Sequence, residues 1–180
     1  MSDVRQLLRG ERVRLAAMEE KDAKVIASWY DDPRFWRYYD AIAYPRTEEQ
    51  CRRWLLSQQE QNNAFLFAIR TQAEDQLIGM VELSGILWPH RSSWIAIGIG
   101  EQAEHHRGLG TEALQLLIDF AFQECNLYRL QLNVFSYNKR AIALYERLGF
   151  QREGTYRGFI ERDGQRYDAY LYGLLRDDRE

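Results

Sequence analysis

His105-His106-Arg107-Gly108-Leu109-Gly110-Thr111-Glu112-Ala113-Leu114 decides the reading of this chain. Before it runs Trp94-Ile95-Ala96-Ile97-Gly98-Ile99-Gly100, a strand-like stretch. After it, apolar residues at 113, 114, 117, 118, 121 and 122 follow the spacing of one helical stripe. The glycines therefore sit in a loop that opens a helix. Such a start exposes N–H groups with no partner inside the helix, at the positive end of its dipole. Glycine lets backbone approach a ligand closely and take positive φ. Two readings follow: a cradle for phosphate, or a tight turn that needs glycine.

Three phosphate motifs compete. A Walker A loop requires a lysine that is missing here. The Rossmann spacing is formally met by Gly108, Gly110 and Ala113, and by Gly98, Gly100 and Ala103. Yet Glu101 to Arg107 separate strand from loop, and the next strand, Arg129 to Phe135, runs into Ser136-Tyr137-Asn138 without the required acid. The third option is a loop for the pyrophosphate of coenzyme A.

Downstream stands Asn138-Lys139-Arg140-Ala141-Ile142-Ala143-Leu144-Tyr145-Glu146-Arg147-Leu148-Gly149-Phe150. Asn138 can cap a helix, Ala141, Leu144, Tyr145 and Leu148 share a face, and Gly149 suits the left-handed position beyond it. With this pattern behind a Gly-x-Gly helix start and one strand, the chain resembles the GNAT N-acetyltransferases. The likeness runs from Leu8–Leu15 to the end and is closest to the ribosomal-protein-alanine and spermidine N-acetyltransferase branch.

Elsewhere, Arg12 to Leu15 reads as a strand and Glu19 to Tyr30 as a helix stopped by Asp31-Asp32-Pro33. An aromatic loop spans Phe35 to Tyr44. Thr47-Glu48-Glu49-Gln50 is a capping box opening a helix with Cys51, Trp54, Leu55 and Gln58 inward. Strands follow at 64–70, 77–83 and 94–100, the last with two glycines that signal a bulge or a close backbone approach. A hairpin turns at Asp163-Gly164. The order predicts an α/β fold, a mixed sheet with helices on its faces, and the resemblance implies that the sheet is mostly antiparallel with helices on both faces. The resemblance adds a splayed pair of central strands that receives the pantetheine arm.

The 180 residues are expected to form one domain, 1–180. A formal charge of −3 gives no support for nucleic-acid binding. Two cysteines are too few for a disulfide framework. No apolar run approaches ~18 residues, and the charged N-terminus lacks a signal peptide's apolar core, so a cytoplasmic protein without membrane partner is expected. No His/Cys/Asp/Glu cluster has metal spacing.

The resemblance implies transfer of an acetyl group from acetyl-CoA to a primary amine, by direct attack in a ternary complex. Placement can supply about 7–11 kcal/mol of such a barrier, and one N–H aimed at the oxyanion roughly 2.7–4 kcal/mol. By resemblance that N–H comes from a bulged strand around Ile99, and the coenzyme arm pairs with the backbone of Ile97 and Ile99. Coenzyme contacts are expected from His105, His106, Arg107, Gly108, Leu109, Gly110 and Thr111, and from Asn138, Lys139 and Arg140. The family has Arg or Gln three residues before the first glycine, where this chain has His105.

Tyr145 is the expected general acid, a phenol that holds its proton at neutral pH. Glu82 is the expected base. Phe35, Trp36, Tyr39 and Trp88, with Tyr156 and Phe159, are expected to build an aromatic pocket for a cationic amine, aided by Asp31, Asp32 and Asp40. Acceptors left open are a polyamine, another small amine and a peptide or protein N-terminus. The alternative is a non-catalytic acyl-CoA-binding module. Family members often dimerise, which makes a homodimer an expectation.

Overall fold

The computed structural model describes residues 4–39, 42, 44–100 and 108–179. A short helix α1 (Val4–Leu7) leads into β1 (Val13–Ala17), α2 (Asp22–Trp29), α3 (Pro33–Tyr39) and α4 (Glu48–Gln59). Then come β2 (Phe65–Thr71), β3 (Leu77–Leu87), β4 (Ser92–Ile99), α5 (Leu109–Asp119), β5 (Arg129–Phe135), α6 (Lys139–Arg147), β6 (Gln151–Arg162) and β7 (Gln165–Leu175). Among the described residues the strands form one sheet in the order β1-β2-β3-β4-β5-β7-β6. Every neighbouring pair is antiparallel except β4–β5, which the α5 crossover makes parallel.

Two cores flank the sheet. On one face α5 and α6 bury Leu114, Leu117, Ile118 and Tyr145 against Ile69, Val81, Leu83, Leu130 and Leu132. On the other, α2 and α4 bury Ile26, Trp29, Cys51 and Leu55 against Ala68 and Met80, and α3 adds Trp36. Strand alternation sends neighbouring residues to opposite cores, so Val81 faces α5 while Met80 and Glu82 face the α2–α4 side.

Local signals built several elements as their chemistry requires. The Thr47 side chain accepts from Gln50 N while Gln50 accepts from Thr47 N, completing the capping box. Asn138 Oδ1 accepts from Ala141 N at 3.2 Å and caps α6. Asp163 and Gly164 both take positive φ, which a two-residue hairpin turn demands.

Two expectations are corrected. Residues 35–39 are helix, not loop: Asp32 Oδ1 accepts from Arg34 N at 3.0 Å, and Pro33 occupies the first helical position. The strand before the glycine loop carries no bulge, since β4 pairs with β3 in unbroken register from Trp94 to Ile99 and the irregularity lies at Ser84/Leu87. Its glycines serve close approach instead. A β-carbon at Gly98 would come within 2.8 Å of Tyr39 Cδ2, and one at Gly100 would overlap the Trp29 indole.

No helix among the described residues is long and apolar enough to cross a membrane.

Candidate active site

The site begins where β4 and β5 part. They pair only at Ser92↔Arg129, Ser93↔Leu130 and Trp94↔Gln131, after which β4 continues to Ile99 and β5 to Phe135 with no further pairing. Gly100 N donates to Ile78 O on β3 at 2.9 Å. Antiparallel alternation then turns Gly98 toward β3 and the backbone of Ile97 and Ile99 toward the opening.

The first turn of α5 stands at the edge of that opening. Gly108 occupies the N-cap with φ 76°, a left-handed conformation that favours glycine. A β-carbon on Gly110 would make ordinary contact with Ile99 Cγ1 at 3.7 Å and Ile97 Cδ1 at 3.8 Å, so the turn lies on these two residues. Helical hydrogen bonding starts with Glu112 N to Gly108 O. Among the described residues no side chain caps the preceding amides of Leu109, Gly110 and Thr111. They form a donor cluster of the kind that takes a phosphate.

Glu112 fixes this turn to β1. Its carboxylate accepts from Arg12 N at 2.8 Å and Val13 N at 3.3 Å, and pairs with Arg12 Nε at 3.0 Å. Burial opposes ionisation, but the two amides and the guanidinium hold the carboxyl below its usual range. His105, His106 and Arg107 lie outside the described residues.

Tyr145 projects from α6 into the core on the α5 side, nearly buried, its ring edge-on to Phe150 at 5.9 Å. Burial pushes its hydroxyl up to about 12. It stays protonated across the whole working range of an enzyme and can give a proton only to a stronger base, such as a thiolate formed beside it. Asn138 spends its carbonyl on the helix cap, which leaves the amide NH₂ as its donor. Lys139 and Arg140 are exposed on the first turn of α6.

The opposite face holds the other group. Glu82 lies between Leu66 of β2 and Ala96 of β4, half-buried, and desolvation raises its carboxyl above the usual range. β4 intervenes between it and the opening, and beyond Trp94 its positions on that face are Ala96 and Gly98, so the floor is low where the strands part. Tyr39 covers this floor. Its ring stacks on Phe35 at 5.7 Å and lies against Gly98. Its hydroxyl is shut off from solvent and has no hydrogen-bond partner among the described residues. Burial raises it well above the ordinary phenol range, and Glu82 and Tyr145 close by add to the effect. Tyr39 and Tyr145 hang from helices on opposite faces of the sheet, and the gap between β4 and β5 is where the two faces communicate. Leaving such a hydroxyl unpaired costs about 1–3 kcal/mol, which a ligand could recover.

Not every expected pocket residue joins them. Trp36 is core, stacked on Tyr30 at 3.7 Å and 3 % exposed. Trp88 stands in the turn after β3, edge-on to Phe65 and donating to Asn62 O at 3.3 Å. That is six residues beyond Glu82, about 20 Å along an extended strand, at the end where β4 and β5 remain paired. Tyr156 and Phe159 are exposed on edge strand β6. Tyr156 is level with Phe135 through Ala169, at the open end but two strands away. Asp32 is held by Arg34, Asp31 is exposed, and Asp40 lies outside the described residues.

The sequence also gave no separate weight to Arg37 and Tyr137. Tyr137 Oη donates to Arg37 O at 2.8 Å, and Arg37 pairs with Asp163 in the β6–β7 turn. These contacts pin α3 over the open end. An arginine inside an aromatic run and a tyrosine in a polar turn carry no such signal until topology brings residues 37, 137 and 163 together. Among the described residues no group of three His, Cys, Asp or Glu side chains could hold a metal.

Comparison with known proteins agrees with this architecture. The model of the acetyltransferase (GNAT) domain matches residues 12–151. An uncharacterised N-acetyltransferase of Bacillus licheniformis is 30 % identical over 171 residues, covering 92 % of this chain and 94 % of its own. The [ribosomal protein uS5]-alanine N-acetyltransferase of Escherichia coli K12 is 26 % identical over 176 residues, covering 93 % and 90 %. The spermidine N-acetyltransferase of Vibrio cholerae, solved with CoA and spermine, superposes with a TM-score of 0.85 at 25 % identity, covering 92 % and 96 %. An open strand pair, a glycine-led helix start beside it and a match reaching from β1 to β6 converge on one conclusion: the chain belongs to the GNAT family and is an N-acetyltransferase.

Proposed function

We propose that residues 1–180 work as one acetyltransferase domain that transfers the acetyl group of acetyl-CoA to a primary amine by direct attack in a ternary complex. The observation that carries this reading is the opening between β4 and β5, with Tyr145 reaching it from one face and Tyr39 and Glu82 lying on the other.

The residues present fit the coenzyme. The amides of Leu109, Gly110 and Thr111 behind Gly108, which no described side chain caps, suit its diphosphate, and the backbone of Ile97 and Ile99 faces the space a pantetheine arm would cross. The Asn138 amide and the exposed Lys139 and Arg140 stand on the far side. His105, His106 and Arg107 complete the expected loop. The coenzyme supplies the activated acetyl thioester. Glu82 takes the amine proton, helped by a raised pKa that brings it nearer the working range. Tyr145 gives its proton to the departing sulfur. The acceptor is a polyamine, another small amine or a peptide N-terminus, entering over Phe35 and Tyr39.

The test is release of free thiol from acetyl-CoA across a panel of such amines, with Tyr145→Phe beside the wild type. The expected result is turnover on at least one amine and a loss of about 10²-fold or more in kcat with coenzyme affinity retained. Binding of the coenzyme without turnover on any amine would overturn it, and full turnover by Tyr145→Phe would remove Tyr145 as the acid.

A further inference from the structure

We infer that the Tyr39 hydroxyl is a second hydrogen-bonding group for the acceptor nitrogen and, with Glu82, selects for an amine that carries two N–H bonds. This rests on the acetyl transfer proposed above.

Three observations converge. Tyr39 is held in place rather than mobile over the floor: its ring is stacked on Phe35 at 5.7 Å and edge-on to Trp36 at 5.6 Å, and only the missing side chain of Gly98 lets it sit so low. Its hydroxyl is buried and bonded to nothing among the described residues. Glu82 shares the same face of the sheet, since Glu82↔Ala96 and Met80↔Gly98 are adjacent cross-strand pairs and Met80 lies in the core beneath α2 and α4. The two groups are near enough to affect each other electrically, yet no hydrogen bond joins them.

A neutral primary amine has the groups to join them. Its nitrogen has two N–H donors and one lone pair. With one N–H given to the Glu82 carboxylate and the other to Tyr39 Oη, the lone pair is left for the thioester carbonyl carbon. As the C–N bond forms and the C–S bond breaks, the proton on the Glu82 side passes to the carboxylate. The sulfur takes its proton from Tyr145, and Tyr39 keeps its own. A secondary amine must give up one of the two contacts, or turn its lone pair away.

The experiment measures kcat/KM by thiol release. Its acceptor is the best among spermidine, an alanine-starting peptide and phenethylamine, compared with that compound's N-methyl form. Wild type is expected to favour the primary amine strongly. Tyr39→Phe should raise KM for the primary amine about tenfold, leave the KM of acetyl-CoA unchanged, and shrink the primary-over-N-methyl preference by a similar factor. Gly98→Ala, whose methyl displaces the ring, should erode the same preference. Unaltered preference in Tyr39→Phe overturns the inference, as does a uniform loss on both amines with a raised KM for acetyl-CoA. Full activity of Tyr145→Phe would instead remove the acid and leave the Tyr39 role standing. A wild type silent on all three amines withdraws both.

Discussion

Glu112 of α5 closes the backbone amides of Arg12 and Val13 at the start of β1, at 2.8 and 3.3 Å. The first turn of the crossover helix is thereby tied to the far edge of the sheet. A carboxylate here would weaken a neighbouring phosphate site if it were free, but Arg12 and the two amides neutralise it. Glu112→Ala should loosen the turn and cost about 1–2 kcal/mol, or roughly 2–8 °C in Tm. Coenzyme A affinity, read by calorimetry, should fall about tenfold. Because the carboxyl is held below its usual range, its stabilisation is present above the unfolded pKa and is lost as pH falls through the folded one. Wild type should therefore lose stability more steeply than Glu112→Ala in that acid window. Equal slopes and equal affinities would separate Glu112 from the loop.

Glu82 has the opposite sign. Burial raises its pKa, so the favourable contribution belongs to the protonated form, is complete below the unfolded pKa, and is lost as pH rises through the folded pKa. Above that window an ionised, half-buried carboxylate destabilises the fold. Glu82→Gln should melt higher than wild type at pH 8, with the gap closing toward pH 4, while turnover falls about 10²-fold. A variant that keeps its turnover would remove Glu82 from the chemistry. One that melts lower at pH 8 would contradict the burial argument.

Away from the chemistry, Asp22 and Arg70 form a pair with both side chains 3 % exposed, Arg70 Nη2 lying 2.6 and 2.7 Å from the two carboxylate oxygens. Asp22 also accepts from Glu19 N at 2.8 Å, which starts α2. Removing one member strands a buried charge, a loss of about 3–5 kcal/mol, and Glu19 at 3.6 Å from Arg70 offsets part of it. Asp22→Asn should lower Tm by about 5–15 °C, measured by circular dichroism, and leave both KM values unchanged in the fraction that folds. A negligible shift in Tm would show that Glu19 replaces Asp22.

What the sequence disclosed follows the range of the forces involved. The capping box at Thr47, the Asn138 cap, the Gly108 helix start and the Asp163-Gly164 turn are set by residues within a few positions of each other, and all were readable. Asp32-Pro33 reads as a helix stop, although the same pair is an N-cap followed by the residue suited to the first helical position. The two glycines of β4 were ambiguous because bulge and close approach ask for the same residue. Only the partner, Tyr39 on another helix, separates them. Trp88 looked like a pocket aromatic by composition, and register alone carries it to the wrong end of the sheet.

Phe35 and Trp88 provide the sharpest contrast between composition and position. Phe35 packs on Tyr39, on Trp36 at 4.7 Å and on Trp29 at 5.4 Å, and lies 3.0 Å from where a Gly98 β-carbon would stand. It supports Tyr39 from behind and makes up part of the proposed acceptor wall. Trp88 is 45 % exposed and touches Phe65. Phe35→Ala should raise the KM of the acceptor amine about tenfold through displacement of Tyr39, with little change in the KM of acetyl-CoA, since the path proposed for the coenzyme runs along Ile97 on the other side of the floor. Trp88→Ala should leave both constants within about twofold and cost less than about 1 kcal/mol, as exposed substitutions do. Steady-state kinetics on the two variants in parallel decide the matter. If Trp88→Ala impairs the acceptor and Phe35→Ala does not, the amine enters at the paired end of β4 and β5, and the acceptor wall has been assigned to the wrong end of the sheet.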